Sequence, residues 1–322
     1  LAGFHPRPFR VVSYLLLALN IVVLYRFAKH LTGSTEMAYL SAFAIAFHRR
    51  AEDLYRNNGT LYDVLCFFFT YSTLLFYVSR RHRGLPFTWK HMLAFYALLT
   101  LALNSKEVAV VIPALLWCYE LIYAPPRSLG AIGRWFIDRK LPLWFASLVT
   151  IAAVFGKMSG ENPFKNNGAY ALSFTWKQFF EASNHYLSDL FCNAPDKVPP
   201  FAVVLALGSL VVIAAITRQR YLLFSACIAL LAPLPVVFIP PRGLFAYTIA
   251  WGGWAIFAGS FLVFGRDWLW RVIWHRRPLP PHTLEPERVF LFLIAFVAMV
   301  QFQNHTWPIE WVVWNTTPMR GM

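Results

Sequence analysis

Long apolar runs alternate with short polar breaks along most of this chain. Runs with helical period cover about Val11–Phe27, Met37–Phe47, Leu61–Val78, Leu93–Leu103, Val108–Tyr123, Leu141–Phe155, Phe201–Ile216, Tyr221–Ile239, Leu244–Phe264 and Val289–Phe302. Several reach the roughly 17–25 residues that a helix needs to cross a bilayer. The pattern predicts an all-α, polytopic transmembrane protein of about ten spans, with residues 1–322 as a single transmembrane domain. The longest break is 156–200, and within it Thr175–Phe191 has an aromatic, amphipathic pattern that predicts a helix lying in the interface. The tail 303–322 holds Trp307, Trp311 and Trp314 and reads as an interfacial aromatic belt.

Composition agrees. The chain is 58% hydrophobic, 18% aromatic and only 14% charged, against about 25% charged residues in soluble domains. The net charge of +14 brings nucleic acid to mind, but the basic residues gather in particular connections. Arg26/Lys29, Arg80/Arg81/Arg83/Lys90, Arg127/Arg134/Arg139/Lys140, Arg218/Arg220 and the Arg266–Arg288 group all fall on one side of the predicted spans, and they hold more than half of the 29 Lys and Arg. That side is expected to be cytoplasmic, so no nucleic-acid partner is invoked. The polar stretch 48–60, the Lys106-Glu107 pair, the 156–200 segment and Pro240-Pro241-Arg242 then share the extracytoplasmic face, along with most of the acids.

Several chemistries lack support. Cys66, Cys118 and Cys227 lie inside apolar runs and Cys192 in a loop, with no metal-type spacing and no disulfide framework. No P-loop, dinucleotide fingerprint or nucleophile elbow occurs, which removes nucleotide-driven and serine-hydrolase chemistry. No internal repeat is evident, so a repeat-built transporter loses ground. The chain opens on Leu1 without a charged leader, and a segment upstream of it is expected.

The sharpest feature is Asn104-Ser105-Lys106-Glu107, a polar tip between two apolar runs. Ionisable groups at the edge of hydrocarbon are costly and tend to mark sites. Lys106 and Arg242 each sit at the mouth of a span, where a phosphate would lie; snorkelling to headgroups is the alternative. Glu107 either supports Lys106 or caps the dipole of the helix it begins. Glu52 and Asp53 are candidate bases or ligands, or else pair with Arg49, Arg50 and Arg56 as a solvated cluster. Asp63 falls just inside a span, where an acid needs a polar cavity. A transferase using a lipid-linked phosphate donor would need fixed cations, a carboxylate and a covering loop, and this face supplies candidates for each.

These residues resemble a family. Asn104-Ser105-Lys106-Glu107 followed by an apolar run and Pro113 is similar to the "SKE…P" hairpin of GT-C type membrane glycosyltransferases, in the protein O-mannosyltransferase and aminoarabinose transferase branch. Ala44–Asp63 and Pro240–Gly253 resemble two further pieces of that family. The resemblance implies a polyprenyl-phosphate-linked sugar donor, an extracytoplasmic acceptor and residence in a membrane such as the bacterial inner membrane. It makes Lys106 and Arg242 donor-phosphate contacts, keeps Glu107 as support, and leaves a divalent metal open. The family's acidic first loop, which carries the catalytic base, has no counterpart here. The resemblance therefore places the base upstream of Leu1, or implies that the activity is lost; Glu52, Asp53 and Asp63 are the candidates within the chain. The alternatives from other classes are a non-catalytic membrane subunit or lipid-binding scaffold, working with membrane lipids and membrane-protein partners, and then a transporter.

Overall fold

A computed structural model describes residues 6–51, 53–54, 58–126, 128–138, 140–159, 171–191 and 199–274. Among them the regular structure is helical: α1 Pro6–Thr32, α2 Thr35–Ala46, α3 Leu61–His82, α4 Trp89–Ser105, α5 Ile112–Tyr123, α6 Ile132–Ile137, α7 Leu141–Ser159, α8 Trp176–Leu190, α9 Pro200–Thr217, α10 Arg220–Leu231 and α11 Thr248–Trp274. The expected span Val289–Phe302 and the Trp-rich tail lie outside the described residues.

Among the described residues, four helical segments are both long and apolar enough to cross a membrane: Arg10–Thr32, Leu61–His82, Pro200–Thr217 and Leu244–Val272. Leu141–Lys157 and Arg220–Leu231 are apolar but shorter. The run 221–239, expected as one span, stops being helical at Leu231. Pro233 and Pro235 lack the N–H groups that an α-helix would use there, and residues 232–239 close instead into tight turns, such as Val236 N–H to Pro233 O at 2.8 Å.

Burial is distributed as in a membrane bundle. α11 is the central helix and packs on α2 and α10, while α1 packs on α2 and α3 and α3 on α4. The lipid-facing helices keep their apolar side chains outside: Phe201, Leu205 and Ile216 of α9 are 63%, 62% and 75% exposed. A water-soluble protein seldom leaves so large an apolar surface bare. The chain is a helical integral membrane protein.

Two glycines let the centre close. A Cβ on Gly252 would stand 2.2 Å from Tyr71 Oη, and one on Gly253 would stand 2.7 Å from the backbone nitrogen of Ala229. Their absence allows Tyr71 on α3 to donate to Ile249 O at 2.8 Å and α10 to lie directly against α11. Around this contact, Phe27, Tyr71 and Phe224 meet edge-on.

The two ends of the bundle differ. One, the Glu120 end, carries the connections α1–α2, α3–α4 and α9–α10. Glu120 on α5, 1% exposed, takes Arg81 on both oxygens at 2.5 and 2.7 Å, the Tyr77 hydroxyl at 2.7 Å, and an ion pair with Lys140. Glu120 therefore does not reach out to headgroups, as an acid near a helix end commonly does; it ties α3, α5 and the start of α7 together. At the same end Arg266 of α11 pairs with Glu36 of α2 and with Asp267. The other, the Lys106 end, carries the polar segments read above as one face.

Candidate functional site

The site is assembled at the Lys106 end from segments far apart in the chain. The expected four-residue tip is built from a helix end, one extended residue and the start of a 3₁₀ turn. α4 continues through Asn104 and Ser105, whose side chains fold back onto Thr100 O and Leu101 O at 2.9 and 2.7 Å. Such back-bonding satisfies a polar side chain at the apolar end of a helix. The break is one residue wide. Lys106 is extended (φ −161, ψ 151), and a 3₁₀ turn, Glu107–Val111, leads into α5 with Pro113 in its first turn.

That single extended residue turns the Lys106 side chain back across the bundle. Its ammonium is ion-paired with Asp63 in the first turn of α3 and lies 5.8 Å from the centre of the Phe245 ring. Asp63 is 2% exposed, so its charge is compensated by Lys106 rather than by water. Glu107 is exposed at the start of the 3₁₀ turn. The carboxylate that holds Lys106 is thus Asp63, not its chain neighbour Glu107 as the order of residues suggested. The Lys106 carbonyl also faces Cys66 Sγ at 4.0 Å.

Phe245 joins this pair to the segment that carries Arg242. Asp189, at the end of α8, is 2% exposed and accepts the Leu244 N–H through Oδ2 at 3.0 Å. Its Oδ1 meets the Arg50 guanidinium at 2.5 Å. Gly243 lies between: a Cβ there would stand 3.0 Å from the Phe245 ring and 3.6 Å from Asp189 Oδ2. The expected amphipathic helix, now α8, is fastened over this end by three more bonds: Gln178 to Ile239 O at 2.6 Å, Ser173 N–H to Phe238 O at 2.8 Å, and His48 Nε2 to Leu190 O at 2.9 Å.

His48 is held in one tautomer. Its Nδ1 accepts the Arg50 N–H at 3.1 Å, so Nε2 carries the proton donated to Leu190 O. Burial, aided by the nearby Arg50 cation, pushes its pKa below the usual histidine value.

The structure thus brings Asp63 and Lys106 into contact and sets the Arg242 segment beside them. Asp53 stands 3.8 Å from Arg50, which bridges it to Asp189. Glu52 lies outside the described residues. No cluster of three or more His, Cys, Asp or Glu side chains is assembled among the described residues. Asp189 and His48 were not picked out from the sequence. One signal for Asp189 was present, because it lies on the same face of α8 as buried Ala182 and Tyr186, and an acid on an apolar face needs a partner.

Residues 1–137 match the family model of dolichyl-phosphate-mannose-protein mannosyltransferases. The matched stretch contains His48, Asp63, Lys106 and Glu107, and agrees with the resemblance drawn from the residues. No curated protein and no solved structure matches the chain. The match covers less than half of the chain.

Proposed function

We propose that the chain takes part in moving a sugar from a polyprenyl-phosphate donor to an acceptor on the extracytoplasmic face, with Lys106 as a contact to the donor phosphate. The observation that carries this reading is the Lys106–Asp63 ion pair at the end of the bundle, inside the matched stretch. An ammonium has three donors. Asp63 takes one and fixes the group's position, which leaves others for phosphate oxygens. The Lys106 side chain keeps 21% of its surface open, so a headgroup can reach it while the aliphatic stem stays covered. Asp63 is a positioning residue here, because it acts through Lys106. Arg242, three residues before Phe245 in the chain, supplies the second cation of the proposal. The α8 helix, fastened across this end, covers the site. The catalytic base is left unassigned.

The test is binding of a short-chain polyprenyl phosphate to the full chain in lipid nanodiscs. Charge-assisted contacts of this kind support an affinity loss of about tenfold or more for Lys106→Ala, with Arg242→Ala weakening binding in the same direction. Equal affinity of wild type and Lys106→Ala, with both inserted and folded, would overturn the assignment.

A further inference from the structure

The half-buried cations described above are each held by a carboxylate: Lys106 by Asp63, Arg50 by Asp189 and Arg266 by Glu36. One basic group at the Glu120 end is not. α1 closes with Arg26, Lys29 and His30, and α3 closes with His82 and is followed by Arg83. The two helices pack along each other, and His30 stands in the electrostatic field of the other four. Arg26, Lys29, His82 and Arg83 are exposed and His30 is half-buried. None of the five is ion-paired with another described residue.

Helix length sets their depth. Arg10–Thr32 and Leu61–His82 hold 23 and 22 residues. At 1.5 Å per residue that is about 33–35 Å of helix, against a hydrocarbon core of roughly 30 Å. The closing residues therefore reach the headgroup level. Each helix then turns off through a glycine with positive φ, Gly33 at +69° and Gly84 at +64°, and a Cβ on either would meet no atom within 4 Å. The space beside the basic side chains is open.

A helix C-terminus favours cations through its dipole, which accounts for basic residues on each helix separately. It does not account for gathering both sets together without a paired carboxylate. Like charges at this range repel, and water and salt only screen them. An anion on the open side removes the repulsion, and phosphate is the anion that a bilayer presents at this depth.

We propose that Arg26, Lys29, His30, His82 and Arg83 form a binding site for the headgroup of an anionic phospholipid, its phosphodiester lying between the ends of α1 and α3. Clusters of this kind at the membrane surface recognise such lipids by charge. The site stands at the opposite end of the bundle from Lys106 and does not rest on the transferase reading.

The test uses the full chain in a neutral detergent, with bound lipid counted by native mass spectrometry. Dioleoyl phosphatidylglycerol is the probe, and dioleoyl phosphatidylcholine is the control with the same tails and no net charge. Wild type should retain the first phosphatidylglycerol in preference to phosphatidylcholine. The double variant Lys29→Gln with Arg83→Gln should weaken that binding about 25-fold, roughly fivefold for each cation removed. Lys177→Gln, at the other end and 84% exposed, should leave it unchanged. Thermal unfolding separates a lost site from a lost fold. Without phosphatidylglycerol the double variant should melt at or above wild type, because like charges have been removed; adding the lipid should raise the melting temperature of wild type and scarcely that of the double variant. Equal retention of the two lipids by wild type, or an equal loss in Lys177→Gln, would overturn the proposal. So would a double variant that melts well below wild type without the lipid, or release of the lipid by an equal concentration of glycerol 3-phosphate, which would make the site one for soluble phosphate.

Discussion

Lys106, in the one-residue break between α4 and a 3₁₀ turn, is ion-paired with Asp63, 43 positions earlier in the chain and buried in the first turn of α3. Truncating one member of such a pair leaves the other as an uncompensated charge, whereas replacing both need not. Lys106→Met and Asp63→Asn should each destabilise the protein, and the double variant should lose less stability than the sum of the two single losses. A coupling of about 1–3 kcal/mol is expected from a double-mutant cycle, read by thermal unfolding in detergent. Additive effects would mean that the two charges do not hold each other.

At the opposite end, Glu120 faces both Arg81 and Lys140 within the buried cluster described above, and Lys140 is 2% exposed. Glu120→Gln should cost roughly 3–5 kcal/mol, as removing one partner from a buried pair does. Asp53→Asn weakens the half-exposed contact to Arg50 and should stay within about 1 kcal/mol. Comparable losses in the two variants, measured by unfolding, would contradict this ranking.

The packing of the central helix rests on a missing methyl group. Gly252→Ala places its Cβ against the Tyr71 hydroxyl, and overpacking of this sort costs about 1–3 kcal/mol. Gly208, on α9, has no neighbouring atom within 4 Å of the position a Cβ would take. Gly208→Ala should be neutral or slightly stabilising, since alanine favours helix over glycine by up to about 1 kcal/mol. The melting temperatures of the two variants check both directions at once.

His48 makes stability depend on pH. Its pKa is lowered in the folded chain, so the unfolded chain binds more protons in the window between the two values. The stabilising contribution is complete above about pH 6.5 and is lost as pH falls through the folded value. Leu190 O and the nearby Asp189 oppose the shift, while burial and Arg50 drive it. The melting temperature of wild type should therefore fall between about pH 7 and pH 5 by more than that of His48→Gln. Parallel curves for the two proteins would rule the histidine out as the source.

Much of the architecture was legible from pattern alone. The apolar runs at 11–27, 61–78 and 201–216 became long helices within a few residues of their expected limits, 244–264 became one that runs on to Val272, and Thr175–Phe191 became α8 with Thr175 as its N-cap. Runs interrupted by proline were less legible. Apolar character continues through Pro233 and Pro235, but the hydrogen bonds of a helix do not. The candidate site was legible as a list of residues and not as an arrangement. Lys106 and Glu107 are adjacent in the chain, yet the extended backbone at Lys106 sends the ammonium to α3 and leaves Glu107 exposed.

By itself, then, the sequence determined the membrane setting, the helical class and which charges stand at span ends, because hydrocarbon imposes length and polarity limits that any reader of composition can apply. Only the tertiary structure decided the partners: Asp63 for Lys106, Asp189 for Arg50 and the Leu244 N–H, and the Arg81, Lys140 and Tyr77 cluster for Glu120. Those choices follow from which helices the small residues allow to touch, and a buried charge takes whatever opposite charge or donor that packing brings within reach.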